Sequence, residues 1–252
     1  MKIMAHAWTL ALTLLVGGLG SRTAQAQDGD HITLGVGVAA VPEFEGSKGY
    51  RVLPIPLLDV RAGQFFASLG DGIGVHIVDT PTLKLGGSVT YVRGYRRRDV
   101  PEGIDSLSDA AGARLFTSLR LGGAIATVGA TRVIGGGTRG TIADARLSYP
   151  VQTAQRVTII PTLATSWADD KHMRRYFGVT PSEAAASGLA AYRPSSGFKD
   201  VSAIVTANYR LAGGLNIAGS AGVTRLFDKA ADSPFVERRW QPAGFVGIAY
   251  SF

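Results

Sequence analysis

The 252-residue chain has no cysteine, so no disulfide scaffold supports it; an exported chain of this size that forgoes disulfides fits a fold held by closed backbone hydrogen bonding. Beyond its N-terminal region it has no run of eighteen apolar residues and no long stretch of clean helical period, so no helix is expected to cross a membrane. Excess charge is modest, a net +7, and dispersed; with no aromatic-basic platform for single strands, nucleic acid is excluded as a partner. There is no Gly-x-Ser-x-Gly elbow, and Gly135-Gly-Gly-Thr-Arg-Gly140 lacks the lysine and spacing of a phosphate-binding loop. His31, His76 and His172 fall on separate segments, and nothing positions a Ser/His/Asp site. The chain reads as a non-enzyme without a cofactor.

The first 26 residues read as a secretory signal peptide. Lys2 gives a small positive end, residues 8–19 an uncharged, mostly apolar stretch, and Ala24-Gln-Ala26 a small-x-small site. Its removal takes away only Lys2 and Arg22, leaving 24 basic and 19 acidic side chains, a net +5, on a single domain of residues 27–252. The 33 glycines have no three-residue period, which sets collagen aside.

Short alternating runs dominate the rest. Val246, Ile248, Tyr250 and Phe252 fall on one face of an extended strand, with Gly247, Ala249 and Ser251 on the other. Leu115, Leu119 and Leu121 oppose Arg114, Ser118 and Arg120, and Val201, Val205 and Tyr209 oppose Ser202, Thr206 and Arg210. Arginine on the second face is costly in a dry core but is accommodated in a wet lumen, so the pattern favours an all-β, up-and-down antiparallel transmembrane barrel with its apolar side toward lipid. Twelve strands are expected: 31–41, 50–60, 64–70, 73–79, 83–95, 111–121, 124–134, 141–149, 155–168, 199–210, 215–227 and 242–252. The count depends on splitting 64–79 at Asp71-Gly72, a tight-turn dipeptide; merging other segments gives a ten-strand alternative.

With both ends of that barrel at the periplasm, the long connections 42–49, 96–110, 135–140, 169–198 and 228–241 fall outside, and only short turns, one of them 150–154, fall inside. Tyr50, Tyr91, Tyr95, Tyr149, Trp167, Tyr209, Phe227 and Phe252 sit near strand ends as girdle residues. Pro54, Pro56 and Pro161 each remove a ladder donor, so bulges or frayed pairing are expected there.

Arg114, Arg120, Asp144, Arg146 and Arg210 are expected to point into the lumen, either lining a narrow aqueous path or pairing into a plug. The 169–198 connection is dense in aromatics and charge. Thr180-Pro-Ser-Glu183 can cap a short helix over Ala184 to Ala186, and the whole loop is expected to pack over the barrel mouth. Asp169, Asp170 and His172 match no metal-site spacing, so no metal is assigned. Arg96-Arg-Arg98, with Asp99, Glu102, Asp105 and Asp109, either meets outer-leaflet phosphates of lipid and lipopolysaccharide or neutralises itself as a solvated loop. Arg174, Arg175, Arg238 and Arg239 admit the same two readings.

Tyr176-Phe-Gly-Val-Thr180, with Ser187-Gly-Leu189, Tyr192 and Gly197-Phe-Lys-Asp200, resembles the central signature of the MipA/OmpV family, the MltA-interacting proteins of Gram-negative outer membranes. Leu226 to Val236, centred on Asp232-Ser-Pro234, resembles a second signature, and Pro42-Glu-Phe-Glu-Gly46, Tyr50, Pro54, Pro56 and the final Ala249-Tyr-Ser-Phe252 are similar as well. The resemblance implies an outer-membrane barrel without catalysis. It also implies a scaffold that joins a periplasmic lytic transglycosylase to a murein synthase, with Phe177, Gly178, Asp232, Ser233 and Pro234 as structural markers rather than a binding site. Tyr250 and Phe252 would be the terminal signal read by barrel-assembly machinery. The arginines at 96–98 and 238–239 depart from the family pattern. Two other functions compete: a narrow channel for small solutes, and a soluble secreted β-sandwich or lipocalin-like ligand binder.

Overall fold

The computed structural model describes residues 29–252; the signal peptide expected over residues 1–26 lies outside them. Thirteen strands form one sheet: β1 (His31–Pro42), β2 (Tyr50–Ala62), β3 (Phe65–Ser68), β4 (Gly72–Asp79), β5 (Leu83–Val92), β6 (Ala110–Leu121), β7 (Ala124–Gly136), β8 (Thr141–Ser148), β9 (Val151–Ala154), β10 (Val157–Ala168), β11 (Gly197–Arg210), β12 (Leu215–Leu226) and β13 (Trp240–Ser251). Each runs antiparallel to its neighbours. The sheet closes on itself because β1 pairs β13 and β10 pairs β11.

β8 and β9 are two pieces of one stave. Both pair β10, the first along Thr162–Ala168 and the second along Val157–Ile159. The ladder breaks between them opposite Pro161, whose missing donor gives the physical reason for the interruption. The barrel therefore has twelve staves, and the ten-strand alternative is excluded. Residues 150–154 are corrected from a plain turn to a turn plus β9. The split at Asp71-Gly72 holds: β3 and β4 form a short hairpin, and Gly72 takes the left-handed φ of +85° that the turn requires.

The long connections, 43–49, 93–109, 169–196 and 227–239, all emerge at one rim. The other rim carries 63–64, 80–82, 122–123, 155–156 and 211–214, together with both ends of the described chain. In the bacterial outer-membrane arrangement the first rim is external and the second periplasmic.

Side chains alternate as the sequence pattern requires. Val36, Val52, Ile73, Leu115, Leu121, Leu163 and Val246 are exposed on the outside, while Thr33, Arg114, Thr162, Ser202, Thr206 and Ser220 are buried on the inside. The girdle reading holds for Tyr50, Tyr149, Tyr209 and Phe252, which are exposed at strand ends and joined by Phe65, Phe198 and Trp240. It fails for Tyr95, which is buried at the outer end of the lumen among residues from several loops.

One side of the lumen is packed rather than wet. Val41, Ile55, Leu57, Ile204 and Phe245 meet there with small residues of β1, β12 and β13 in an apolar core. Gly37 and Gly247, partners across the β1–β13 seam, make room for it. A Cβ on Gly247 would lie 2.6 Å from the Val36 carbonyl and 2.7 Å from Leu57 Cδ1, and one on Gly37 would lie 3.3 Å from Ile55 Cγ1. Gly247→Val is therefore expected to push Leu57 off the seam and destabilise closure by about 1–3 kcal/mol, the usual range for overpacking. The check is the midpoint at which heat-modifiable gel mobility is lost; an unchanged midpoint would contradict it.

Candidate functional site

The external loops do not spread into solvent. Between Asp169 and Gly188 lie α1 (Asp170–Phe177) and α2 (Pro181–Ser187), and the 227–239 connection contributes α3 (Asp228–Ala231). α2 begins at the foreseen capping box, with Thr180 and Glu183 each bonding the other's main-chain N–H. It ends at Gly188, whose φ of +73° is the left-handed cap that glycine adopts without strain. α1 has no counterpart in the strand and turn reading, although its signal was present. Asp169 caps it by accepting from the His172 N–H at 2.8 Å, and Met173, Tyr176 and Phe177 fall on one face at helical spacing.

That face enters a second apolar core across the outer end of the lumen. Phe44 of the first loop, Tyr95, Ile104 and Leu107 of the 93–109 loop, Tyr176 and Phe177 of α1, and Phe235 pack together there. Tyr95 stands edge-on to Tyr176 at 5.3 Å between ring centroids, and Phe44 meets Phe235 at 5.7 Å. Polar side chains lock the loops to one another. Ser233 donates to the Phe177 carbonyl at 2.7 Å, Tyr192 to the Lys229 carbonyl at 2.8 Å, and Tyr95 to the Tyr176 carbonyl at 3.3 Å. Val179 and Tyr192 bridge back to back, and Asp232 pairs Arg239 at 3.0 Å. The two sequence signatures, some fifty residues apart, thus meet in one cap.

Beneath the cap is a cavity of ≈ 120 Å³. Its cations are Arg93, Arg114, Arg146 and Lys199, and its anions Glu45, Asp144 and Asp200. Arg114 grips Asp144 with both guanidinium nitrogens, one of them at 2.9 Å, and its Nε lies 3.6 Å from Asp71, which Arg146 meets at 3.0 Å. Lys199 sits 2.5 Å from Glu45 and 2.8 Å from Asp200, and Ser166 donates to Asp200 at 2.7 Å. Lys199 and Asp200 are consecutive yet both buried, because the β10–β11 register shifts between Ser166 and Trp167 and the bulge turns both inward.

Of the lumen residues expected from sequence, Arg114, Asp144 and Arg146 come together in this cluster. Arg120 and Arg210 also fall on the inward face, but at the periplasmic rim, away from the cavity. Sequence alternation missed Asp71, which lies in the β3–β4 turn; Arg93, beyond the end of β5; and Lys199, which only the bulge reveals. The charged 93–109 loop largely neutralises itself: Arg97 pairs Asp105 at 3.3 Å, and Asp99 is taken by Arg51 at 2.6 Å. Arg174 pairs Asp170, and Arg175 donates to the Gly137 carbonyl. No group of three or more metal-ligating side chains occurs among the described residues.

His172 joins cap to cavity. It is buried, stacks on Tyr176 at 5.8 Å, and leaves Nδ1 without a hydrogen-bond partner among the described residues. Burial, then the charge of Lys199, lowers its pKa to about 4, against the opposing pull of Asp169 and the Arg139 carbonyl. A histidine with a depressed folded-state pKa is most favourable when neutral. The stability it lends is whole above its unfolded value of 6.5 and declines, by about 3 kcal/mol at most, as pH falls toward 4. Amide exchange of residues 170–187 should therefore accelerate as pH drops through this window, beyond the intrinsic change. In His172→Phe the pH dependence should vanish; the same dependence in both proteins would contradict the assignment.

The profile of the family described as MltA-interacting protein MipA matches residues 34–252. The MltA-interacting protein of Escherichia coli K12 is 32% identical over 96 residues, a stretch covering 38% of this chain and 38% of that one, and the Shigella flexneri protein of the same name matches equally. Among solved structures, an outer-membrane channel from Pseudomonas putida F1 has a TM-score of 0.48 at 10% identity, covering 93% of this chain and 100% of its own. The KdgM porin has a TM-score of 0.45 at 9% identity, covering 88% of this chain and 99% of its own. Likenesses this loose say nothing about cargo.

Proposed function

The chain belongs to the MltA-interacting protein MipA family, and from that premise we propose that it works as a narrow, capped conduit for small solutes. It is a non-enzymatic barrel of the outer membrane. One observation carries the reading: seven charged side chains surround a cavity directly below a folded cap. Burying several charges costs several kcal/mol apiece before pairing offsets it, and a barrel needing only to be filled could continue the apolar packing seen elsewhere in its lumen. Paired charges of both signs around a small space suit the passage or holding of polar solutes.

A second reading, a scaffold for a lytic transglycosylase and a murein synthase, is favoured by the family and by the name of the Escherichia coli relative. Geometry favours it less. Those enzymes act on the periplasmic side, where the described chain offers only short turns, while every folded elaboration is on the outer rim. Planar-bilayer recording separates the two. The conduit reading expects rare, brief openings from the native chain and frequent ones when the cap is loosened by Tyr176→Ala and Phe177→Ala. Silence from both proteins, with insertion verified, would overturn it, and co-purification of the murein enzymes from cross-linked envelopes would then favour the scaffold.

A further inference from the structure

The wall of the barrel is incomplete on one side, and the gap leads into the cavity. β2 pairs β1 along its whole length, from Arg61 opposite His31 to Tyr50 opposite Pro42, but pairs β3 only from Asp59 to Ala62. The β3–β4 hairpin ends at residues 69–71, and β4 meets β5 no higher than Val89. Above that turn, β2 and β5 face each other with no strand between them.

The side of β2 that faces the gap can be read from the ladder. The Phe252 N–H donates to the Ile32 carbonyl, so even-numbered residues of β1 direct their backbone groups to β13 and odd-numbered ones to β2. Gly35, Gly37 and Ala39 are partnered by Leu57, Ile55 and Leu53, so the odd residues of β2 face β1 and the even ones face the gap. Pro54 and Pro56 are even. Between Arg51 and Leu57 the only N–H left on the open edge belongs to Val52, which explains how two prolines sit in a strand whose ladder to β1 is unbroken. An edge almost without donors cannot template another strand, and it exposes little unsatisfied N–H to hydrocarbon.

Tyr91 marks the opening. Strand alternation points it outward from β5, yet it lines the cavity, the cleft at the outer rim and the groove on the outer surface of β5 to β7. The cavity reaches the gap at Gly70, in the turn below it, and along Thr90 to Arg93 on its β5 side, all of which line the cavity. The flanks, Val52, Pro54 and Val89, are exposed and apolar, so the gap lies within the lipid-facing band. At its upper edge Arg93 donates to the Pro42 and Glu43 carbonyls and makes no ion pair among the described residues.

We propose that this gap is a lateral window through which a single-chain amphiphile with an anionic head enters the lumen cavity from the outer leaflet, its head on Arg93 and its tail along Val52, Pro54 and Pro56. The proposal rests on the conduit reading and gives it a substrate class and a route that leaves the cap closed. An apolar tail suits the flanks, and the free guanidinium charge of Arg93 suits an anion.

Because the chain lacks cysteine, a single thiol can report on access. Thr90 lines the cavity at the level of the window and is 6% exposed; Thr206, inward and 5% exposed, lies on β11 between two continuous ladders. In the full chain reconstituted in vesicles, a bilayer-dissolved pyrene maleimide should label Thr90→Cys about tenfold faster than Thr206→Cys, the ratio that a modest difference in access barrier produces. A charged, water-borne methanethiosulfonate should show no such preference. Decanoate should protect Thr90→Cys where decyltrimethylammonium does not, and Arg93→Gln should abolish that protection. Equal maleimide rates at the two positions would remove the window, and protection by both amphiphiles or by neither would remove the anionic head. Preferential lipid-side labelling alongside electrical silence of the cap-loosened barrel would keep the window and remove the conduit, so the two failures are distinguishable.

Discussion

A strand that crosses hydrocarbon must find a partner for each N–H and C=O within the protein, because no water is there to supply one. The rest of this structure depends on that constraint. It requires β1 to find β13 at the far end of the chain, places glycine at Gly37 and Gly247 so that the seam can close over Ile55 and Leu57, and confines proline within the strands to places where its missing donor breaks no ladder pair. Pro161 sits opposite the break between β8 and β9, and Pro54 and Pro56 face the side of β2 that has no neighbour. Each proline is thus a record of where the wall is discontinuous.

Once the wall is closed, the lumen must be filled or used, and the molecule does both. A packed apolar cluster joins β1, β2, β11, β12 and β13 across part of it. Paired charges from β6, β8 and β11 surround a small cavity, with the outer loops folded into a cap above it. The cap has the features of a small globular core: buried aromatics in edge-on contact, capped helices and side chains that satisfy buried carbonyls. His172 lies where cap and cavity meet, stacked on Tyr176 of the cap and within the field of Lys199 below.

Much of this was legible in the residues. Period-two alternation and the Asp71-Gly72 turn gave the twelve staves, loop lengths gave the two rims, and Thr180 to Glu183 gave α2. The inward parity of Arg114, Asp144 and Arg146 was readable in the same way. The rest escaped for definable reasons. A bulge changes parity by one residue, so Lys199 and Asp200 could not both be placed inward from alternation. The apolar cluster in the lumen joins strands from opposite ends of the chain, and no local pattern announces such contacts. Tyr95 looked like a girdle residue because it follows a strand, but the 93–109 loop folds it back into the cap. The prolines of β2 signal a frayed edge, but which edge it is depends on ladder direction.

The central claim is that each of the twelve staves pairs both neighbours and that the sheet closes between β1 and β13, and amide exchange in bilayers tests it most directly at that seam. The amides of Leu34, Val36, Val38, Val246, Ile248 and Tyr250 face one another across that seam. They should be protected as strongly as those between β11 and β12, while Val52, on the open edge of β2, exchanges quickly. Rapid exchange at the seam, on the timescale of a free edge, would show that the barrel is not closed and would contradict the account.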